Sequence, residues 1–229
     1  MSNMVIDTLW DDNPIDVSTE VNFIWSIANK LRGTYQSDKY KDVIIPMVII
    51  RRFECALADT KKAVVDTFKK NPDYPAKAMY RISKRQFYNT SEFTLAELVN
   101  DSDHIAANFR NYISGFSANV QDIIKSLDFD KQIEKMDKNN RLLSVVKAFS
   151  ELDLNPVTID NVKMGYIFED LIRRFSENAE AGDHYTGRDI IKLMVNILLA
   201  EGCDDIFDDG KIITVLDQAC GTGGMLSTS

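Results

Sequence analysis

From Ser18 to about Gly202 the apolar residues recur at helical spacing, and one β-branched run, IITVL at 212–216, breaks that pattern. This contrast constrains the chain more than any other feature. Val21, Ile24, Trp25, Ala28 and Leu31 form one stripe, with Ser18 placed to cap it and Gly33 to stop it. A long apolar segment then runs from VIIPMVII (43–50) through Phe53 and Leu57 towards Phe68. Pro46 excludes a central strand there and fits a helix near its first turn or at a kink. Pro72 and Pro75 make residues 71–90 read as a long connection. Thr94-Leu-Ala-Glu97 has the spacing of a capping box, and further helical stripes are expected near 104–114, 119–127 and 139–152.

Around NPVT, 155–158, the chain is predicted to turn a corner. An amphipathic helix follows, with Met164, Ile167, Phe168, Leu171, Ile172 and Phe175 on one face. After SENAEAGDHYTG comes another, RDIIKLMVNILLAEG, opened by a second capping-box spacing at Thr186-Gly-Arg-Asp189. IITVLDQA then reads as a strand buried on both faces of a parallel sheet. The expected fold class is mainly α: a helical N-terminal domain, residues 1–152, followed by the beginning of an α/β Rossmann-like domain, residues 153–229. A single strand cannot satisfy its own backbone groups, so these 229 residues are expected to be an incomplete α/β folding unit.

The strand delivers Asp217 into Gly221-Thr-Gly-Gly224, at the sheet edge where open α/β folds bind ligands. Bare backbone amides there can meet an anionic group, and Asp217 an ammonium or a hydroxyl. A tight turn with glycines for packing is the alternative. A mononucleotide P-loop is absent, the dinucleotide fingerprint fails at Leu226, and no Gly-x-Ser-x-Gly elbow occurs. A nicotinamide or flavin enzyme would need a fingerprint that is missing.

Charge and cysteine content narrow the class further. Three separated cysteines (Cys55, Cys203, Cys220) and two histidines argue against a disulfide framework and a structural zinc site, so no metal is expected. No apolar run approaches membrane-spanning length, and the acidic start lacks a signal pattern, so a cytoplasmic location is expected. The net charge of -8 argues against wrapping nucleic acid with the whole surface. Residues 61–85 nevertheless carry eight bases against two acids, with aromatic residues interleaved. This stretch is either a solvated face or a phosphate-contacting surface, with Lys61, Lys62, Lys69, Lys70, Arg81, Lys84 and Arg85 as the candidate DNA contacts.

DQACGTGG resembles the first cofactor motif of N6-adenine DNA methyltransferases. IWSIANKLRGTYQSDKYKDVIIPMVIIRRF and MGYIFEDLIRRFSENAEAGDHYTGRDIIKLMV resemble the opening and the pre-motif segment of one branch, the methylation (modification) subunit of type I restriction-modification systems. The resemblance spans residues 24–224 and implies S-adenosylmethionine as cofactor. Asp183, His184, Tyr185, Thr186, Gly187 and Arg188 match the family loop that folds over its methionine end, and Asp217, Gly221, Thr222, Gly223 and Gly224 match the first motif. Without the resemblance, His184 is a loop histidine, Thr186 a helix cap and Arg188 a solvated base. The implied partners are double-stranded DNA, a specificity subunit that reads the target and a restriction subunit that joins for cleavage.

Three departures from the family pattern matter. Gln218 and Gly187 stand where the family keeps proline, which loosens both loops and is expected to weaken cofactor binding. Asn-Pro-Pro-Phe/Tyr, which holds the extruded adenine, does not occur, so no catalytic residue is assigned and the chain alone is expected not to methylate. The rival reading is a non-catalytic helical module that binds DNA or a partner subunit.

Overall fold

The computed structural model describes residues 15–177, 186–199, 214–220 and 223–228. Its contacts divide into two compact units, one of Asp16–Phe175 and a second that includes the residues from Ser176 onward.

The first unit is a helical assembly around one core. Helix α1 (Ser18–Ala28) runs on into a 3-10 turn at Asn29–Leu31, and Gly33 stops it at φ +81°. Val21, Ile24, Ile27, Ala28 and Leu31 are buried, while Trp25 is half-buried against Phe175. Ser18 is not the cap: it is the first helical residue, and the Asp16 carboxylate accepts from its backbone N–H at 2.9 Å. The Ser18 hydroxyl, and after it this N–H, hold the Asp16 carboxyl below its usual range.

Helix α2 (Lys41–Leu57) takes in the whole of VIIPMVII. Pro46 sits within its first two turns, where the missing N–H removes a single bond. Helix α3 (Lys61–Lys70) follows, and α4 (Ala76–Ser83) packs against it. The expectation of a long connection over 71–90 is thus corrected. Pro75 lies just before the first helical residue at φ -59°, where its missing N–H costs nothing, and AKAMYRIS behind it forms helix readily.

Helix α5 (Leu95–Leu98) carries the predicted capping box with both reciprocal bonds in place. Helices α6 (Ile105–Ser114), α7 (Ala118–Ser126) and α9 (Leu142–Ser150) answer the expected stripes. Helix α8 (Phe129–Lys138) occupies a stretch that read as a polar connection. Phe129, Ile133 and Met136 bury one narrow face of it, and seven polar residues hide that spacing.

NPVT is the expected corner, with Thr158 and Ile159 N–H both donating to the Asn155 carbonyl. Two arginines of α2 pin it. Arg51 Nε donates to the Leu152 carbonyl at 2.6 Å, and Arg52 Nη1 donates to the carbonyls of Leu154 (2.8 Å) and Ile159 (2.6 Å). Helix α10 (Asn161–Glu177) then buries Met164, Ile167, Leu171 and Phe175 in the same core.

The second unit holds α11 (Arg188–Leu199) and α12 (Gly224–Thr228), which pack together. The predicted strand is not formed in its described part. Thr214–Asp217 has no ladder bonds, and Val215 and Leu216 are 46% and 79% exposed, whereas burial on both faces was expected. Among the described residues this extended segment has no neighbour to accept its N–H groups, and apolar sequence alone cannot make a strand. Among the described residues the only β pairings are isolated bridges at Arg32–Tyr35 and Asn89–Phe116. Helix α11 buries Ile191 and Val195 and leaves Ile190, Leu193, Met194, Ile197 and Leu198 exposed, an apolar face at i, i+3, i+4, i+7 and i+8 spacing.

Candidate functional site

In the second unit, the Asp217 side chain accepts from the Ala219 backbone N–H at 3.0 Å, turning the chain out of its extended segment. Gly223 N–H donates to the Cys220 carbonyl at 2.7 Å, and Gly223 lies at φ +80°, a conformation that favours glycine. At Gly224 a Cβ would stand 2.4 Å from Ile191 Cδ1, so α12 lies close against α11 there and a larger residue would make the end of the Ile191 side chain shift. Helix α11 begins at Arg188, and the Ile191 N–H donates to the Gly187 carbonyl at 3.0 Å. Gly187 therefore holds the cap position that the sequence suggested for Thr186, which is exposed one residue earlier. A Cβ at Gly187 would meet nothing, so neither space nor a positive φ demands glycine there. Asp183, His184, Tyr185, Gly221 and Thr222 lie outside the described residues, as does the side chain of Arg188.

The two segments singled out by sequence thus join through their helices. The glycine loop leads into α12, α12 rests on the first turn of α11, and α11 starts directly after Gly187.

The basic stretch falls on α3 and α4. Lys62, Lys70, Arg81, Lys84 and Arg85 are exposed, and Lys84 ends α4 in the left-handed region at φ +53°. Lys69 is exposed but pairs with Glu92 at 2.8 Å. Lys61 departs from the group. It is the first residue of α3 and turns inward, donating to Asn89 Oδ1 at 2.8 Å with its ammonium 5.6 Å from the centre of the Tyr112 ring. Burial pushes its pKa down to about 8, against the opposing pull of Glu54 and Glu97.

Lys61 belongs to a buried polar cluster that the sequence did not reveal. Glu54 accepts from Arg51, from the Leu95 N–H at 2.7 Å and from the Tyr112 hydroxyl at 2.9 Å, so it also caps α5 from across the core. Tyr112 is buried, which with the nearby Glu54 charge raises its pKa well above the usual value. Burial likewise raises the Cys55 thiol. The signal was the run Arg51-Arg52-Phe53-Glu54 inside an otherwise apolar helix, where charge is expensive unless something receives it.

The sequence matches the HsdM N-terminal domain family over residues 21–149 and the N-6 DNA methylase family over residues 160–229. Among curated proteins it is 26% identical over 194 residues to the type I restriction enzyme MjaVII methylase subunit of Methanocaldococcus jannaschii, covering 80% of this chain and 32% of that one. The MjaIX methylase subunit of the same organism is 21% identical over 224 residues, covering 89% and 38%. The EcoEI methylase subunit of Escherichia coli is 26% identical over 134 residues, covering 58% and 25%. The chain therefore spans between a quarter and two fifths of the length of these relatives. The resemblance read from the sequence is borne out, and because the first match covers more than half of its residues, the chain belongs to the HsdM N-terminal domain family.

Proposed function

We propose that this chain is the amino-terminal part of an adenine-N6 DNA methyltransferase subunit of a type I restriction-modification system. Residues 1–152 contact DNA and other subunits, and residues 153–229 open an α/β domain that takes S-adenosylmethionine. The observation that carries the reading is the seat of Gly224 on Ile191, which sets the end of the Asp217 loop beside the start of α11. The described residues fit the cofactor. Asp217 has one carboxylate oxygen engaged by Ala219, which leaves the other for an ammonium or a hydroxyl. The left-handed turn at Gly223 leaves no Cβ in the way of a close ligand.

Bound there, the cofactor supplies an electrophilic methyl group. This chain's own residues hold and orient it, with Asp217 and the 183–188 stretch in that role. The exposed apolar face of α11 supports the α/β reading, because it is the kind of surface a sheet covers. With no Asn-Pro-Pro-Phe/Tyr among the 229 residues, the chain alone binds the donor without transferring it. Double-stranded DNA, a specificity subunit and a restriction subunit are the partners of the longer protein, and the exposed bases of α3 and α4 are its DNA contacts. Those same bases favour a second reading, in which the helical unit is a binding module and the cofactor loop is idle.

Calorimetric titration with S-adenosylmethionine separates the two. Saturable binding that Asp217→Ala weakens at least tenfold supports the first reading, and no heat at millimolar donor supports the second. Turnover on hemimethylated target DNA by this chain alone would refute the claim that it lacks transfer activity.

A further inference from the structure

Lys61 lies on the wall of a cavity of about 440 Å³ that is lined entirely by residues of the first unit, Arg51, Glu54, Tyr112 and Asp153 among them. Both carboxylates on that lining are already engaged. Glu54 receives Arg51, the Leu95 N–H and the Tyr112 hydroxyl, while Asp153 receives the Asn155 N–H at 2.9 Å and the Thr158 hydroxyl at 3.1 Å. Lys61 donates instead to a neutral oxygen, Asn89 Oδ1, which also accepts from the Ser91 N–H. An ammonium has three N–H groups to satisfy. Among the described residues no carboxylate forms an ion pair with it. A largely buried cation facing open space, with Glu54 and Glu97 near it but no carboxylate in contact, is an anion site by its chemistry.

We propose that this cavity binds a small organic anion, its phosphate or carboxylate head on Lys61 and its uncharged body against Leu57, Ala58 and Ala96. The volume falls within the range of about 300–1,000 Å³ typical of small-molecule pockets. The apolar side chains give such a body a dry wall, while Arg51 and Glu54, fixed to each other, hold the rim of the site in one geometry. The lowered proton affinity of Lys61 agrees with this: its charge is poorly solvated, and a bound anion would restore it. The site is independent of the methyl-donor reading, because no residue of the Asp217 loop contributes to it.

Calorimetric titration of the 229-residue chain with ribose 5-phosphate and benzoate tests the proposal, with orthophosphate and the uncharged ribose and benzamide as controls. The titrations are repeated on Lys61→Met, whose fold is checked by circular dichroism and thermal melting. Saturable one-to-one binding of ribose 5-phosphate identifies a phosphate head and of benzoate a carboxylate head. Either must weaken at least tenfold in Lys61→Met and exceed its uncharged control at least tenfold. Saturation by neither organic anion, saturation by orthophosphate alone, parity with ribose or benzamide, or unchanged affinity in Lys61→Met would overturn it.

Discussion

Replacing Lys61 by methionine should stabilise the protein at neutral pH. The ammonium is protonated more weakly in the fold, at about 8 rather than 10.5, because burial outweighs the attraction of Glu54 and Glu97. At about 1.36 kcal/mol per pH unit, a drop of that size corresponds to roughly 3 kcal/mol, which partial exposure of the side chain trims to about 2 kcal/mol. The sign follows from proton counting. Below pH 8 both folded and unfolded chains hold the proton and the whole penalty applies. Between about 8 and 10.5 the unfolded chain holds more protons, so stability of the natural protein rises with pH. Around the amine stand Glu54 and Arg51 of α2, Glu97 of α5, and the ring of Tyr112 from α6. Methionine fills similar volume without charge, so Lys61→Met should gain about 2 kcal/mol at pH 7 by urea denaturation, and more than half of that gain should vanish by pH 9.5. A variant less stable at pH 7, or a gain constant across that range, would refute the reasoning that the ammonium is desolvated.

Other outcomes follow from single interactions. Gly115→Ala should cost about 2–3 kcal/mol and lower the melting temperature by several degrees, because its Cβ would stand 2.6 Å from the Ser91 backbone nitrogen and 2.7 Å from Asn89 Oδ1. Tyr112→Phe should cost about 1 kcal/mol by removing the hydroxyl that donates to Glu54. In the natural protein Tyr112 keeps its proton above pH 10 while the unfolded chain loses it, so stability should fall there, and a pH series of melts should show Tyr112→Phe falling less. Neutralising Lys62, Lys70 and Arg81 should flatten the salt dependence of DNA binding, the logarithmic slope falling by about 0.9 for each phosphate that no longer meets a base. Anisotropy at several salt concentrations measures that slope, and Lys61→Met should leave it unchanged. Gly223→Ala should weaken S-adenosylmethionine binding in calorimetry, since a side chain at φ +80° strains the loop by about 1–2 kcal/mol.

How legible these features were depended on how far apart their causes lie in sequence. The stripes of α1 and α10 and the Thr94–Glu97 box were readable because helical burial and capping are set within a few residues. Helix α4 was hidden by the prolines before it and α8 by its polar majority, since two or three buried positions suffice once a core is present. The strand expected at 212–216 has no ladder in its described part: apolar sequence states a preference, and a ladder needs a second chain segment to answer it. The cluster of Arg51, Glu54, Lys61 and Tyr112 draws on three helices, so no local window contains it. In the candidate cofactor site the sequence singled out Gly224, while the side chain it lies against, Ile191, is 33 positions upstream and in no common local window.

The clasp of Arg51 and Arg52 on the segment from Leu152 to Asn161 bridges separations of 101 to 109 residues. During synthesis α2 leaves the ribosome long before its carbonyl acceptors exist. Arg51 can meet Glu54 at once, but its Nε must wait for Leu152 and Arg52 must wait until residue 159 has emerged. This contact of the helical unit therefore closes late, when the corner arrives to receive its two arginines.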